Sequence, residues 1–330
     1  MQNKAVICGT GCYLPESVMT NADMEKIVDT SDEWIRTRTG IRERHIVDNG
    51  QTASDLALEA SKKALEQAGV TPDQLTHILV PTLTPDTYCP SAASYLAAKL
   101  DVRGPMILDT NAACSGFVYT LQLARALLLL EPDSTILIAA SEVLSTRLNW
   151  EDRTTCVLFG DGSGAAVVKG ESSGAKGGVV EDLIVSSDGH LADLLLIAGG
   201  ASSQPLKLGD TVGPDYFLRM AGSDVFKHAV RALEDISQEV LKRNNLTADD
   251  IDVFLPHQAN SRIIEAVSKR LGIPMDRVFM NIGHVGNTSA SSVPIALAEA
   301  REAGIVTKGT RVLMSTFGAG FTWASALVQF

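Results

Sequence analysis

The chain alternates between short, unbroken apolar runs and longer stretches in which apolar residues recur every three or four positions. Ile78-Leu79-Val80, Met106-Ile107-Leu108, Ile136-Leu137-Ile138 and Val253-Phe254-Leu255 are bounded by polar or turn residues and predict strands, and a further strand opens at Ala5-Val6-Ile7. Residues 57–65, 92–100, 117–130, 230–241 and 261–271 carry the helical spacing. Strands alternating with such helices imply parallel βαβ units with right-handed crossovers and helices covering the sheet.

The pattern occurs twice. A helix leads through Gly69-Val70-Thr71-Pro72-Asp73-Gln74-Leu75 into Ile78-Leu79-Val80-Pro81, and a later helix leads through Asn245-Leu246-Thr247-Ala248-Asp249-Asp250-Ile251 into Val253-Phe254-Leu255-Pro256. Each copy continues with a helix, a strand (106–108 and 277–280), a polar elbow and another helix. Each closes with a strand pair, 135–139 with 163–168 and 311–315 with 324–328. The expectation is two βαβαβαββ halves, 1–172 and 173–330, joined in the glycine-rich segment 170–178 and enclosing a site between them.

The first elbow, Ala112-Ala113-Cys114-Ser115-Gly116, stands between a predicted strand and the apolar stretch 117–130. A cysteine that ends a strand and opens a helix receives free backbone N–H groups and the positive end of the helix dipole, which predicts a readily ionised thiol. Taken alone, Cys114 is more simply a small core residue. The duplication argues for the reactive reading. It lays this elbow over Gly286-Asn287-Thr288-Ser289, and the end of the strand before Pro81 over Leu255-Pro256-His257-Gln258-Ala259-Asn260, so that Cys114, His257 and Asn287 are expected to converge.

Composition narrows the class. The chain has 330 residues, 45% hydrophobic and 20% charged, enough for a large core. Its N-terminus lacks the features of a secretory signal, and the apolar blocks 126–130 and 136–140 are split by Glu131-Pro132-Asp133, so a cytoplasmic protein without membrane spans is expected. The 5 cysteines form no CxxC pair, which argues against a disulfide framework and against a zinc site. A net charge of -11 argues against non-specific nucleic-acid binding. The order cysteine, histidine, asparagine also fits papain-like proteases, but the local signature around that family's cysteine is absent.

The motifs Thr30-Ser31-Asp32-Glu33-Trp34, Arg38-Thr39-Gly40-Ile41-Arg42-Glu43-Arg44, Ala113-Cys114-Ser115-Gly116, Phe159-Gly160-Asp161-Gly162, Pro256-His257-Gln258-Ala259-Asn260, Gly286-Asn287-Thr288-Ser289-Ala290-Ser291 and Gly318-Ala319-Gly320-Phe321-Thr322-Trp323 extend over essentially the whole length. Together they resemble the thiolase-fold condensing enzymes of the beta-ketoacyl-acyl carrier protein synthase III family. The resemblance implies a five-layered α-β-α-β-α fold and a homodimer. It implies decarboxylative condensation of an acyl-CoA primer with malonyl-acyl carrier protein through an acyl-Cys114 intermediate, initiating fatty acid synthesis. The N–H groups of Cys114 and Ala319 would form the oxyanion hole, and His257 and Asn287 would donate to the enolate. No metal or cofactor is implied, since acyl-CoA and the carrier protein are substrates.

The resemblance also places Trp34 and Arg153 around the CoA adenine, Arg38 near the phosphates, and Gly222, Phe226 and Asn260 along the pantetheine tunnel. Leu144, Phe159, Leu195 and Leu218 would line the acyl pocket. Many family members carry a phenylalanine before Pro90 that closes the partner's pocket; Cys89 stands here, which frees volume for a longer or differently shaped acyl group. A carrier protein is acidic, so Lys227, Arg231, Arg262, Lys269 and Arg270 are its expected docking residues. Alternative readings keep the acyl-enzyme but pass the acyl group to malonyl-CoA, to a secondary-metabolite precursor or to water, or reduce the protein to an acyl-binding scaffold.

Overall fold

The structure is a computed structural model and describes residues 3–48 and 50–330. Its main sheet, nine-stranded among the described residues, contains β1 (Ala5–Tyr13), β2 (His77–Pro81), β3 (Met106–Thr110), β4 (Thr135–Glu142), β5 (Gly162–Gly170), β6 (Gly178–Ser187), β7 (Val253–Pro256), β8 (Arg311–Gly318) and β9 (Thr322–Gln329). The longer helices are α1 (Asp32–Thr39), α2 (Ala53–Ala68), α3 (Ala92–Lys99), α4 (Gly116–Leu130), α5 (Gly222–Arg243), α6 (Ser261–Leu271) and α7 (Ser292–Glu302).

Strand order is β7-β8-β9-β6-β1-β5-β4-β2-β3. It reads outward from the seam between β1 and β6 in the same sequence on both sides, which is the duplication made visible. The seam is short, Val6 opposite Val179 and Ile7 opposite Gly178.

Alternating side chains of single strands enter different cores, which explains why these strands are apolar without a break. Ile136, Ile138 and Ala140 of β4 pack inward, while Leu137 and Ala139 pack outward against α2 and α3. In the second half Val253, Leu255, Val312 and Met314 face inward, and Phe254 and Leu313 face outward against α5 and α6. The inner core is filled by α4 and α7, through Phe117, Leu121, Val293 and Leu297. Outer helices, half-sheet, central helices, half-sheet and outer helices make the five layers.

Two expectations are corrected. Pairing is parallel only toward the flanks (β2 with β3 and β4, β7 with β8), whereas the strands nearer the seam pair antiparallel. The strand expected over 277–280 shrinks to one bridge between Phe254 and Val278 behind a turn at Met275–Arg277. The Gln258 side chain explains this: its amide donates to Phe279 O, and its carbonyl oxygen accepts from Asn281 N, so groups that would extend the ladder are occupied. Residues 113–130 are long and apolar enough to cross a membrane by length and composition, yet Phe117, Val118, Leu121 and Ala124 are fully buried in the central layer.

Candidate active site

The carboxyl ends of β2, β3, β7 and β8 approach one region between the halves, and the elbows sit there. At the first, Asn111 Oδ1 accepts from Ala113 N at 3.2 Å, Ala113 takes φ 45°, and one tight turn, Ala113–Ser115, delivers Cys114 to the start of α4. At the second, Asn287 Oδ1 accepts from Ser289 N at 2.9 Å, Ser289 takes φ 52°, and the turn Ser289–Ser291 leads into α7. A positive φ on a residue other than glycine is costly and persists where surrounding bonds enforce it. The register of the duplication therefore pairs Asn111 with Asn287 and Cys114 with Ala290. The signal for Asn111 lies in the repeat, where Asn111-Ala112-Ala113-Cys114 lines up with Asn287-Thr288-Ser289-Ala290.

The elbows touch: a Cβ built on Gly116 would lie 3.1 Å from the Cβ of Ala290. The loop after β8 closes over the first elbow. A Cβ on Gly318 would lie 2.7 Å from Cys114 N, the Ser115 hydroxyl donates to Thr322 O at 3.0 Å, and the Thr322 hydroxyl donates to Ala112 O at 3.0 Å. Ala319 and Cys114 line the same cavity.

His257 follows β7, its N–H donating to Ser315 O. Its Nδ1 lies 2.6 Å from Ser292 Oγ, which already accepts from Gln258 N at 3.1 Å. With that N–H accepted, the serine proton is free to go to Nδ1, and the ring then carries its own proton on Nε2. Burial alone holds the imidazole far below its ordinary pKa, at about 3, so it is neutral. Asn287 is oriented by the same logic, with its Oδ1 tied to Ser289 N and its Nδ2 left as donor. No hydrogen bond joins Cys114, His257 and Asn287 to one another among the described residues, so they form no papain-like triad.

The expected easy ionisation of Cys114 is overturned for the free site. Burial pushes its thiol up to about 12, opposed by the nearby Ser289 hydroxyl and by its own N–H, and reinforced by the nearby Glu142 carboxyl. A single tight turn repays less than dehydration costs the thiolate. Glu142, also absent from the sequence reading, ends β4 fully buried and is held by Thr84 Oγ1 at 2.6 Å and Leu83 N at 3.2 Å. Burial raises its pKa to about 7.

The cavity at Cys114 has a volume of about 540 Å³, and Leu144, Phe159, Leu195 and Leu218 line it as expected. Cys89 does not line it and is exposed; Tyr88 does, with 78% of its surface open. On the outer face, the guanidinium carbons of Arg38 and Arg153 lie 4.8 and 5.3 Å from the Trp34 ring centre. Gly40, at the end of α1, abuts Ser261, so this cluster adjoins Asn260, which caps α6 through Arg262 N. Gly222 opens α5, and Phe226 one turn on lies 5.8 Å beneath Arg262. The basic island is partly neutralised: Lys227 pairs with Asp224, Arg231 with Asp235 and Arg270 with Glu234, whereas Arg262 and Lys269 form no ion pair among the described residues.

Residues 108–189 match the family model described as 3-oxoacyl-(acyl-carrier-protein) synthase III, and residues 241–330 match its C-terminal counterpart. A beta-ketoacyl-(acyl-carrier-protein) synthase III of Oleidesulfovibrio alaskensis is 53% identical over 329 residues, covering 100% of both chains. The crystal structure of 3-oxoacyl-(acyl-carrier-protein) synthase III from Aquifex aeolicus superposes with a TM-score of 0.90 at 41% identity, over 99% of this chain and 100% of that one. The priming beta-ketosynthase of the R1128 polyketide pathway superposes with a TM-score of 0.90 at 33% identity, over 99% of this chain and 97% of that one. Matching over its whole length in sequence and in fold, the chain belongs to the 3-oxoacyl-(acyl-carrier-protein) synthase III family.

Proposed function

We propose that this chain condenses an acyl-CoA primer with malonyl-acyl carrier protein, releasing CoA and CO2 and starting fatty acid synthesis. The observation that carries the reading is that His257 Nδ1 is occupied from behind by Ser292 Oγ and Asn287 Oδ1 by Ser289 N, an arrangement that leaves Nε2 and Nδ2 to serve as donors. In the first half-reaction the Cys114 sulfur attacks the thioester carbonyl, the C–S bond to CoA breaks, and the thiol proton leaves with CoA. The N–H groups of Cys114 and Ala319 stabilise the tetrahedral oxyanion. In the second, the malonyl thioester carbonyl takes the place facing His257 and Asn287. Loss of CO2 leaves an enolate whose oxygen these neutral donors stabilise, its carbon bonds to the acyl carbonyl, and the Cys114 sulfur departs and regains a proton. The chemistry is complete with the two thioesters as substrates.

The reading extends to the outer surfaces. CoA lies along Trp34, Arg38 and Arg153 toward Gly222, Phe226 and Asn260. The carrier protein meets Arg262 and Lys269 first, with Lys227, Arg231 and Arg270 released from their acidic neighbours on docking. The enzyme works in the cytoplasm as a homodimer paired along β3, a sheet edge that leaves Met106, Ile107 and Leu108 43%, 39% and 37% exposed. A cavity of about 540 Å³ supports primers longer than acetyl.

A product assay with malonyl-acyl carrier protein, malonyl-CoA and a series from acetyl- to decanoyl-CoA tests this. The expected product is a 3-oxoacyl thioester on the carrier protein, lost in Cys114→Ala. Discharge to malonyl-CoA alone, or to free acid, contradicts it.

A further inference from the structure

The cavity at Cys114 is lined by one arginine, a cation that an alkyl primer leaves unused. Arg147 ends the turn Leu144–Arg147 and lines the cavity beside Leu144 and Leu218. Its carbonyl accepts from Leu218 N at 2.8 Å, which ties it to the pocket wall. The guanidinium carbon lies 4.2 Å from the ring centre of Tyr216, another lining residue. Its Nη1 is buried and has no hydrogen-bond partner, and Arg147 forms no ion pair among the described residues. The neighbouring acids are engaged elsewhere: Asp86, also on the cavity wall, accepts from Ser54 N and Oγ, and Asp161 accepts from Ser145 N and Oγ and from Val47 N.

A buried donor without a partner is costly, and more so on a cation. The aromatic ring beneath the guanidinium fixes its plane and leaves its edge for a ligand. A fixed guanidinium edge matches a carboxylate, which it can hold by two parallel hydrogen bonds. The apolar part of the wall, Leu144, Phe159, Leu195 and Leu218, suits the methylene chain between a thioester and such a carboxylate.

We propose that Arg147 binds the far end of the primer, and that this enzyme accepts ω-carboxyacyl-CoA thioesters. This rests on the acyl-Cys114 reading above and adds the substrate class. The transfer is unchanged: the C–S bond to CoA breaks, the bond to Cys114 Sγ forms, and the distal carboxylate passes through unaltered to a 3-oxo-ω-carboxyacyl product on the carrier protein.

The test measures kcat/KM for acylation of Cys114 by succinyl-, glutaryl- and adipyl-CoA against butyryl- and hexanoyl-CoA, by intact mass in single turnover. Wild type, Arg147→Leu and Arg147→Lys are compared, with the oligomeric state of each followed by sedimentation. The expected result is acylation by at least one ω-carboxyacyl-CoA, and a ratio of its kcat/KM to that of hexanoyl-CoA that drops about 30-fold or more in Arg147→Leu, the scale of lost charge-assisted hydrogen bonds. Arg147→Lys retains part of the ratio, which separates recognition from misfolding. Acylation by hexanoyl-CoA with none by any ω-carboxyacyl-CoA overturns this proposal alone. So does a uniform loss with every primer accompanied by subunit dissociation, which assigns the guanidinium to the dimer interface. No adduct from either class overturns the acyl-enzyme reading and this proposal with it.

Discussion

At the residue scale, the site is built by occupying acceptors so that donors remain. Ser292 illustrates the economy, with one hydroxyl taking the Gln258 N–H and supplying the proton that fixes the His257 tautomer. Ser292→Ala frees Nδ1 to hold the ring proton. Decarboxylation of malonyl thioester should then slow about tenfold, equivalent to roughly 1.4 kcal/mol, while acylation of Cys114 is retained; stopped-flow CO2 release and intact mass separate the two. Glu142 supplies a pH signature. Its folded pKa of about 7 lies above the ordinary carboxylate value, so the folded state holds more protons than the unfolded state below pH 7, and stability falls as pH rises through that range. Glu142→Gln removes this penalty. The melting temperature of the variant relative to wild type should climb between pH 5.5 and pH 8; a constant difference argues against burial of the charge. Of these residues the chain alone points to Cys114, His257 and Asn287, because Cys114 and Asn287 lie in the matching elbows of the repeat and His257 at the strand end beside them. Ser289, Ser292 and Glu142 lie in strand ends and helix starts whose pattern resembles any other buried polar position. The ionisation of Cys114 was misjudged for a related reason, since helix termini are visible in a sequence and dehydration is not.

At the element scale, small residues decide how closely layers approach. Gly9 and Gly11 of β1 face α2 so tightly that a built Cβ would lie 2.2 Å from Ala64 O and 2.3 Å from Ala60 O. The backbone of a helix cannot retreat as a flexible side chain can, so Gly11→Ala is expected to cost about 3 kcal/mol in urea unfolding, at the upper end for overpacking. A cost under about 0.5 kcal/mol contradicts this packing. Strand and helix identities are readable from periodicity because inner strands such as β4 feed two cores and each helix one. The strand expected over 277–280 failed for a reason invisible in local sequence, namely Gln258 reaching across to occupy Phe279 O and Asn281 N.

At the scale of the whole molecule, duplication gives two half-sheets that share a central layer of α4 and α7, and this brings both elbows to one place. The edge of the sheet at β3 leaves Met106, Ile107 and Leu108 exposed. Ile107→Asp places a charge on it, and sedimentation should show the proposed homodimer giving way to monomer; a dimer unchanged by the substitution puts the interface elsewhere. The measurement closest to the central claim follows both half-reactions in His257→Ala. Mixed with a primer CoA and then malonyl-acyl carrier protein, the variant should acylate Cys114 at close to the wild-type rate yet release CO2 about 100- to 1,000-fold more slowly, as expected for a lost donor to a developing oxyanion. Failure of His257→Ala to acylate Cys114, with CO2 release intact, would assign the imidazole to thiol activation and contradict the account.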